Sequence, residues 1–160
     1  MNGVREDQPA PLPRRIAAGL IDAAAILSLT GAALLASGQP PSSALTPGTL
    51  VLASAVAMFY RMFTEGTALM ATPGKRLLGL AVRPPANGRM DFAVGALRGW
   101  PWWLTGALTG IDPRLALPGA LLSLAALVPI AFGAERRGLH DRMARTRVVV
   151  TANETRGTQA

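Results

Sequence analysis

A chain of 160 residues has the length of one domain, and with 50% hydrophobic residues and a mean hydropathy of +0.32 its composition is that of a membrane protein, which excludes an ordinary soluble enzyme. The net charge of +7, from 16 basic and 9 acidic residues, belongs to membrane topology and not to nucleic acid, because the basic residues sit beside apolar runs. The absence of cysteine and the single histidine exclude disulfides and thiol catalysis and leave almost nothing for a Cys/His metal centre.

Residues 1–13 carry Arg5, Glu6, Asp7 and three prolines with no apolar period, and read as a disordered cytoplasmic tail. The stretch around 16–37 is the first span. Its 22 residues make a helix of roughly 33 Å, enough for a hydrocarbon core of about 30 Å. The run exceeds a secretory h-region and contains Asp22, so it is expected to span and not to be a signal peptide. A central aspartate costs about +3 kcal/mol on insertion scales. Asp22 is therefore expected to face protein or a wet cavity.

Residues 38–47, GQPPSSALTP, form a turn-rich connection without Lys or Arg, which the positive-inside rule assigns to the exterior. The second span, about 48–66, returns to the cytoplasm, with Tyr60 and Phe63 as interfacial aromatics. Thr72 to Val82 is too short to span and mixes Lys75 and Arg76 with leucines. It reads as a segment lying at the membrane surface, with Lys75 and Arg76 against lipid headgroups. The turn signal Asn87-Gly88 permits a small hairpin between 80–83 and 89–92.

The third span, 92–111, carries Arg98 and a tryptophan cluster with an expected kink at Pro101. After Asp112-Pro113-Arg114 comes a fourth span, 115–133, then the basic run ERRGLHDRMARTR, and a polar tail over 151–160. With both termini inside, the exterior loops hold only Arg114 among the basic residues.

Arg15 and Asp22, seven apart, share a helix face, with Asp22 about 10 Å deeper. Ala18 and Ala25 on that face allow another helix to approach. At a similar depth lie Arg61, Glu65 and Arg98, so the four form a charge-balanced candidate cluster. Three readings stand: an ion-pair network fixing helix register, a cation or proton site at Asp22, or Arg61 and Arg98 snorkelling to the interface.

The ordered set Arg15, Ala18, Ile21-Asp22, Glu65, Thr72-Pro73-Gly74-Lys75-Arg76-Leu77-Leu78-Gly79-Leu80, Gly88-Arg89, Arg98 and Leu139-His140-Asp141 with Thr146 and Val148 resembles the RDD family of small bacterial membrane proteins. The resemblance covers about 14–150 and implies that Arg15, Asp22 and Asp141 are the arginine and two aspartates of the family's signature. It also implies transport of unidentified ligands or sodium/proton exchange.

Pro73-Gly74-Lys75 is not a phosphate loop, since Leu69 stands where a Walker A glycine is needed and Arg76 where Ser or Thr is needed. His140-Asp141 has no nucleophile in a recognisable setting, and Asp141 is expected instead to pair with Arg15 or Lys75. The expected fold is therefore an all-α, four-span bundle with both termini inside, in the bacterial inner membrane, without enzymatic activity, cofactor or metal. Two functions fit. One is a small transporter or cation/proton exchanger acting through Asp22 as a homo-oligomer. The other is an accessory protein that binds membrane lipid or a larger membrane complex. Nucleic acid is not an expected partner.

Overall fold

The computed structural model describes residues 8–40, 46–84 and 88–151. Parts of the expected N-terminal tail (1–7), exterior loop (41–45), Asn87 turn and C-terminal tail (152–160) lie outside the described residues. Four long helices dominate: α1 (Leu12–Ala36), α2 (Pro47–Glu65), α4 (Phe92–Ile111) and α5 (Ala116–Phe132). Two five-residue helices, α3 (Pro73–Leu77) and α6 (Leu139–Met143), and two strands, β1 (Leu80–Arg83) and β2 (Arg147–Val150), gather at one end.

The local chemistry sets the helix ends. Pro47 occupies the first turn of α2, where its missing N–H costs nothing, and Thr46 accepts from the Thr49 amide at 3.3 Å. Asp91 caps α4 by accepting from the Val94 amide at 2.7 Å. Just past α1, Gly38 sits at φ +73°, the left-handed conformation that glycine adopts without penalty.

α1 and the stretch Pro113–Phe132, a 3-10 turn leading into α5, are long and apolar enough to cross a membrane. Only 22% and 11% of their most apolar windows are buried within the protein. Their leucines point outward instead, Leu20 and Leu124 being 68% and 62% exposed. A soluble core helix would bury that surface, so the outward apolar faces are those of a membrane protein. Hydroxyls within the helices turn back on their own backbone: Thr30 donates to the Ile26 carbonyl at 2.8 Å, Thr109 to Thr105 at 2.7 Å and Ser123 to Gly119 at 2.8 Å.

α2 packs most closely on α4, and α5 packs on α4 as well. Glycines permit the first contact. A Cβ on Gly95 would stand 3.0 Å from the Met62 Cα, and one on Gly106 would overlap Ser54 and the Leu50 carbonyl. α1 touches α2 more lightly and is held about equally by α2 and α3.

Three expectations are corrected here. The chain is mostly helical but not all-α, because β1 and β2 form an antiparallel pair with Leu80 opposite Val150 and Val82 opposite Val148. The partner of 80–83 is thus not 89–92, since Asp91 is used to cap α4 and Phe92 already belongs to that helix. Nor do residues 8–13 form a disordered tail. The Ala10 amide donates to the Val148 carbonyl at 3.1 Å and the Val150 amide to that of Gln8 at 3.2 Å, so β2 is flanked on both sides. Ala10, Ala18, Leu80, Val82 and Val148 form the apolar core beneath.

Candidate functional site

The close α2–α4 contact sets Glu65, on the last turn of α2, beside Arg98, on the second turn of α4. Arg98 Nε donates to Glu65 Oε2 at 2.8 Å, and its Nη1 donates to Asp141 Oδ1 at 2.6 Å and also to the Thr146 hydroxyl. Glu65 Oε1 receives Lys75 Nζ as well, and Arg61 Nη1 at 3.3 Å. On the other flank, Arg15 Nη1 lies 3.5 Å from Asp141 Oδ2 while its Nη2 donates to the Val148 carbonyl at 3.0 Å. Asp141 Oδ2 accepts from the Gly138 amide at 3.2 Å, closing the first turn of α6. One connected network therefore joins α1, α2, α3, α4, α6 and β2. The Arg61 guanidinium also lies 3.6 Å from the centroid of the Trp102 ring, a cation–π contact.

Burial alone would raise the pKa of Asp141, but Arg98 and the other positive neighbours outweigh it and hold the carboxyl below its usual range. Lys75 is pulled down by burial, only partly offset by Glu65. His140 is driven down to about 4 by burial, so its 3.6 Å approach to Asp141 is that of a neutral imidazole at pH 7.

Asp22 is handled differently. Among the described residues it makes no ion pair within 4 Å. Its Oδ1 accepts from the Tyr60 hydroxyl at 2.8 Å and the Gly74 amide at 2.9 Å, and its Oδ2 from the Thr72 hydroxyl at 2.6 Å. This clamp holds α3 against α1. It also explains Gly74, where a Cβ would collide with the Ala18 carbonyl and stand 2.8 Å from Asp22 Oδ1.

Two cavities adjoin these residues. A polar one of about 70 Å³ is bordered by Arg15, Asp22, Arg61, Lys75, Arg98 and Asp141, among others. An apolar one of about 340 Å³ lies between α1, α2 and α4, lined by Ala23, Ile26, Leu50, Ala53 and Ala57 among others. Gly19, Arg61 and Trp102 border both.

Of the cluster expected from sequence, the structure brings Arg61, Glu65 and Arg98 together and leaves Asp22 in its own hydrogen-bonded clamp. Of the two partners expected for Asp141, Arg15 pairs with it and Lys75 does not. Lys75 turns inward to Glu65 instead of outward to headgroups, because a buried carboxylate with two arginines nearby still has an oxygen to share. Arg76, its neighbour, is exposed. Tyr60 is not an interfacial anchor but a donor to Asp22, and Trp102 is a platform for Arg61. Thr72 and Thr146 were missed as polar partners. The Thr72-Pro73 pair, a cap signature, was the available signal for the first, since the same hydroxyl accepts from the Lys75 amide at 3.4 Å.

A family model described as the RDD family matches residues 9–145. No curated protein and no solved structure matches the chain.

Proposed function

Since the chain belongs to the RDD family, with the matched region covering every residue of the network up to Asp141, we propose that it is a four-span inner-membrane protein, both termini cytoplasmic, that acts as a non-enzymatic accessory protein and not as a cation exchanger. In this reading the ion pairs are a lock at the cytoplasmic end of the bundle, and the protein works by holding lipid or a larger membrane complex. The observation that carries it is the engagement of Asp22 in the fold, its two oxygens accepting three hydrogen bonds from Tyr60, Thr72 and Gly74. Three of its roughly four lone-pair sites are thus engaged by groups of the chain itself, which leaves a poor site for a hard cation that takes several oxygen ligands.

The orientation is supported by the concentration of basic side chains at the network end, and the lack of cysteine makes it simple to test. A single cysteine at Gln39 should react with a membrane-impermeant maleimide on intact cells, and one at Glu135 only after permeabilisation. The function is tested by alkali-cation and proton flux in proteoliposomes under an imposed pH gradient. The expected result is no flux above empty liposomes. Flux that vanishes in Asp22→Asn while the protein stays folded would replace this reading by exchange.

A further inference from the structure

The network described above does not balance its own charge. Around the polar cavity stand four cationic side chains, Arg15, Arg61, Lys75 and Arg98, with three carboxylates, Asp22, Glu65 and Asp141. His140, also on its wall, is neutral at pH 7. The surplus positive charge is accompanied by unused donors. Arg61 Nε and Arg15 Nε are buried without a hydrogen-bond partner, although Arg61 is only 3% exposed. An orphaned donor on a buried guanidinium is costly and uncommon, and it points to an acceptor that the chain does not provide.

Arg61 also forms the floor of the apolar cavity. From Arg61 the α2 face runs through Ala57, Ser54, Ala53 and Leu50, roughly 16 Å of helix, with α1 and α4 as the other walls. Leu27, 68% exposed, stands at the rim. The polar cavity, at about 70 Å³, has room for a handful of waters at ~10 to 15 Å³ of cavity volume each, which suits a small anionic head. A slot of small and aliphatic residues leads away from it.

We propose that these cavities form one binding site for an amphiphile with a single anionic head, its phosphate or carboxylate beside Arg61 and Arg15 and its acyl chain between α1, α2 and α4. Charge complementarity chooses this occupant. A second copy of the chain would present an apolar helix to the slot and leave both guanidinium donors unmet. A zwitterionic lipid would bring a cation to a place already in positive surplus. The site rests on the accessory reading above, and it gives that reading a ligand class.

The test uses the full chain in a neutral maltoside detergent, with native mass spectrometry to count retained molecules. The probes are dioleoyl phosphatidylglycerol, dodecyl phosphate, dioleoyl phosphatidylcholine and inorganic phosphate. One phosphatidylglycerol or dodecyl phosphate per chain is expected, with phosphatidylcholine and inorganic phosphate not retained. Retention of phosphatidylglycerol alone identifies a membrane lipid as the source, and retention of both a free amphiphile. Ala53→Leu, which fills the slot without touching a charge, should weaken retention about tenfold. Arg61→Gln should do the same, and if it fails to fold, Ala53→Leu decides. Retention unchanged in Ala53→Leu, inorganic phosphate binding as well as the amphiphile, or a dimer that excludes lipid would each overturn the site. Exchange activity in the flux assay would overturn the accessory reading while leaving the retention result standing, so the two failures are distinguishable.

Discussion

Arg98 ties Glu65 to Asp141, residues 76 positions apart in sequence, by one guanidinium that donates Nε to the first at 2.8 Å and Nη1 to the second at 2.6 Å. The planar fork is what lets one side chain serve two carboxylates in different directions. Removing it leaves Asp141 with only the 3.5 Å approach of Arg15 as a full charge partner. Arg98→Met should therefore cost ~3 to 5 kcal/mol, as breaking a buried pair does, and Arg98→Lys should recover less than half of that. Unfolding in mild detergent, followed by size-exclusion fluorescence, checks both. Full recovery by lysine would mean that charge alone matters here.

Asp22 should tell its two substitutions apart. In Asp22→Asn the amide nitrogen can replace Oδ2 and donate to the Thr72 hydroxyl, which is able to reverse its role, so the loss should stay near ~1 kcal/mol. Asp22→Ala strands the Tyr60 and Thr72 hydroxyls and the Gly74 amide together and should cost several times more. Hydrogen exchange of the amides over 72–80 reports the release of α3 directly. Equal exchange in the two variants would refute the clamp.

Gly74→Ala should act on the same clamp from the other side. The added methyl has to push Asp22 or the Ala18 carbonyl away, and overpacking of this kind costs ~1 to 3 kcal/mol. Gly19→Ala, where a Cβ meets nothing within 4 Å inside α1, is the control and should leave the melting temperature unchanged or slightly raised. A melting temperature for Gly74→Ala as high as that of the control would show that the contact yields.

Acid should unlock the network end. Burial holds His140 at about 4 against an ordinary 6.5, so the unfolded chain binds the extra proton between those values. Above pH 6.5 the group makes no difference, and as pH falls to about 4 it removes ~3 kcal/mol of stability, the size its shift implies. Asp141, depressed instead, contributes stability above its ordinary 3.8 and loses it at still lower pH, so both groups weaken the fold in acid. Stability measured from pH 7 to 4 should slope downward in the wild type and markedly less in His140→Gln. Parallel slopes would remove His140 from the account.

The long helices were legible because each is a mainly apolar run, interrupted by few charges, between turn or proline signals. The run read over 92–111 is α4 to the residue, and that over 48–66 is α2 within one residue at each end. Arg15 and Asp22 were legible as one face of α1, since a seven-residue spacing returns to the same side. What could not be read was how that face divides, Arg15 going to Asp141 and β2, and Asp22 to α3 and Tyr60. α3 has only five residues, too few for a period to say that Lys75 turns in while Arg76 turns out. The strand partner of Leu80–Arg83 lies more than sixty residues further on, and a four-residue strand carries no mark of its mate.

The flanking of β2 by β1 and by residues 8–10 has a consequence for the order of assembly. Asp141, Thr146 and the Val148 carbonyl, acceptors for Arg98 and Arg15, all belong to segments translated after the four long helices. Until the ribosome has released them, Arg15 waits with none of its native acceptors and Arg98 with Glu65 alone. The network therefore closes only once β2 has docked between β1 and residues 8–10, which makes β2 its bolt.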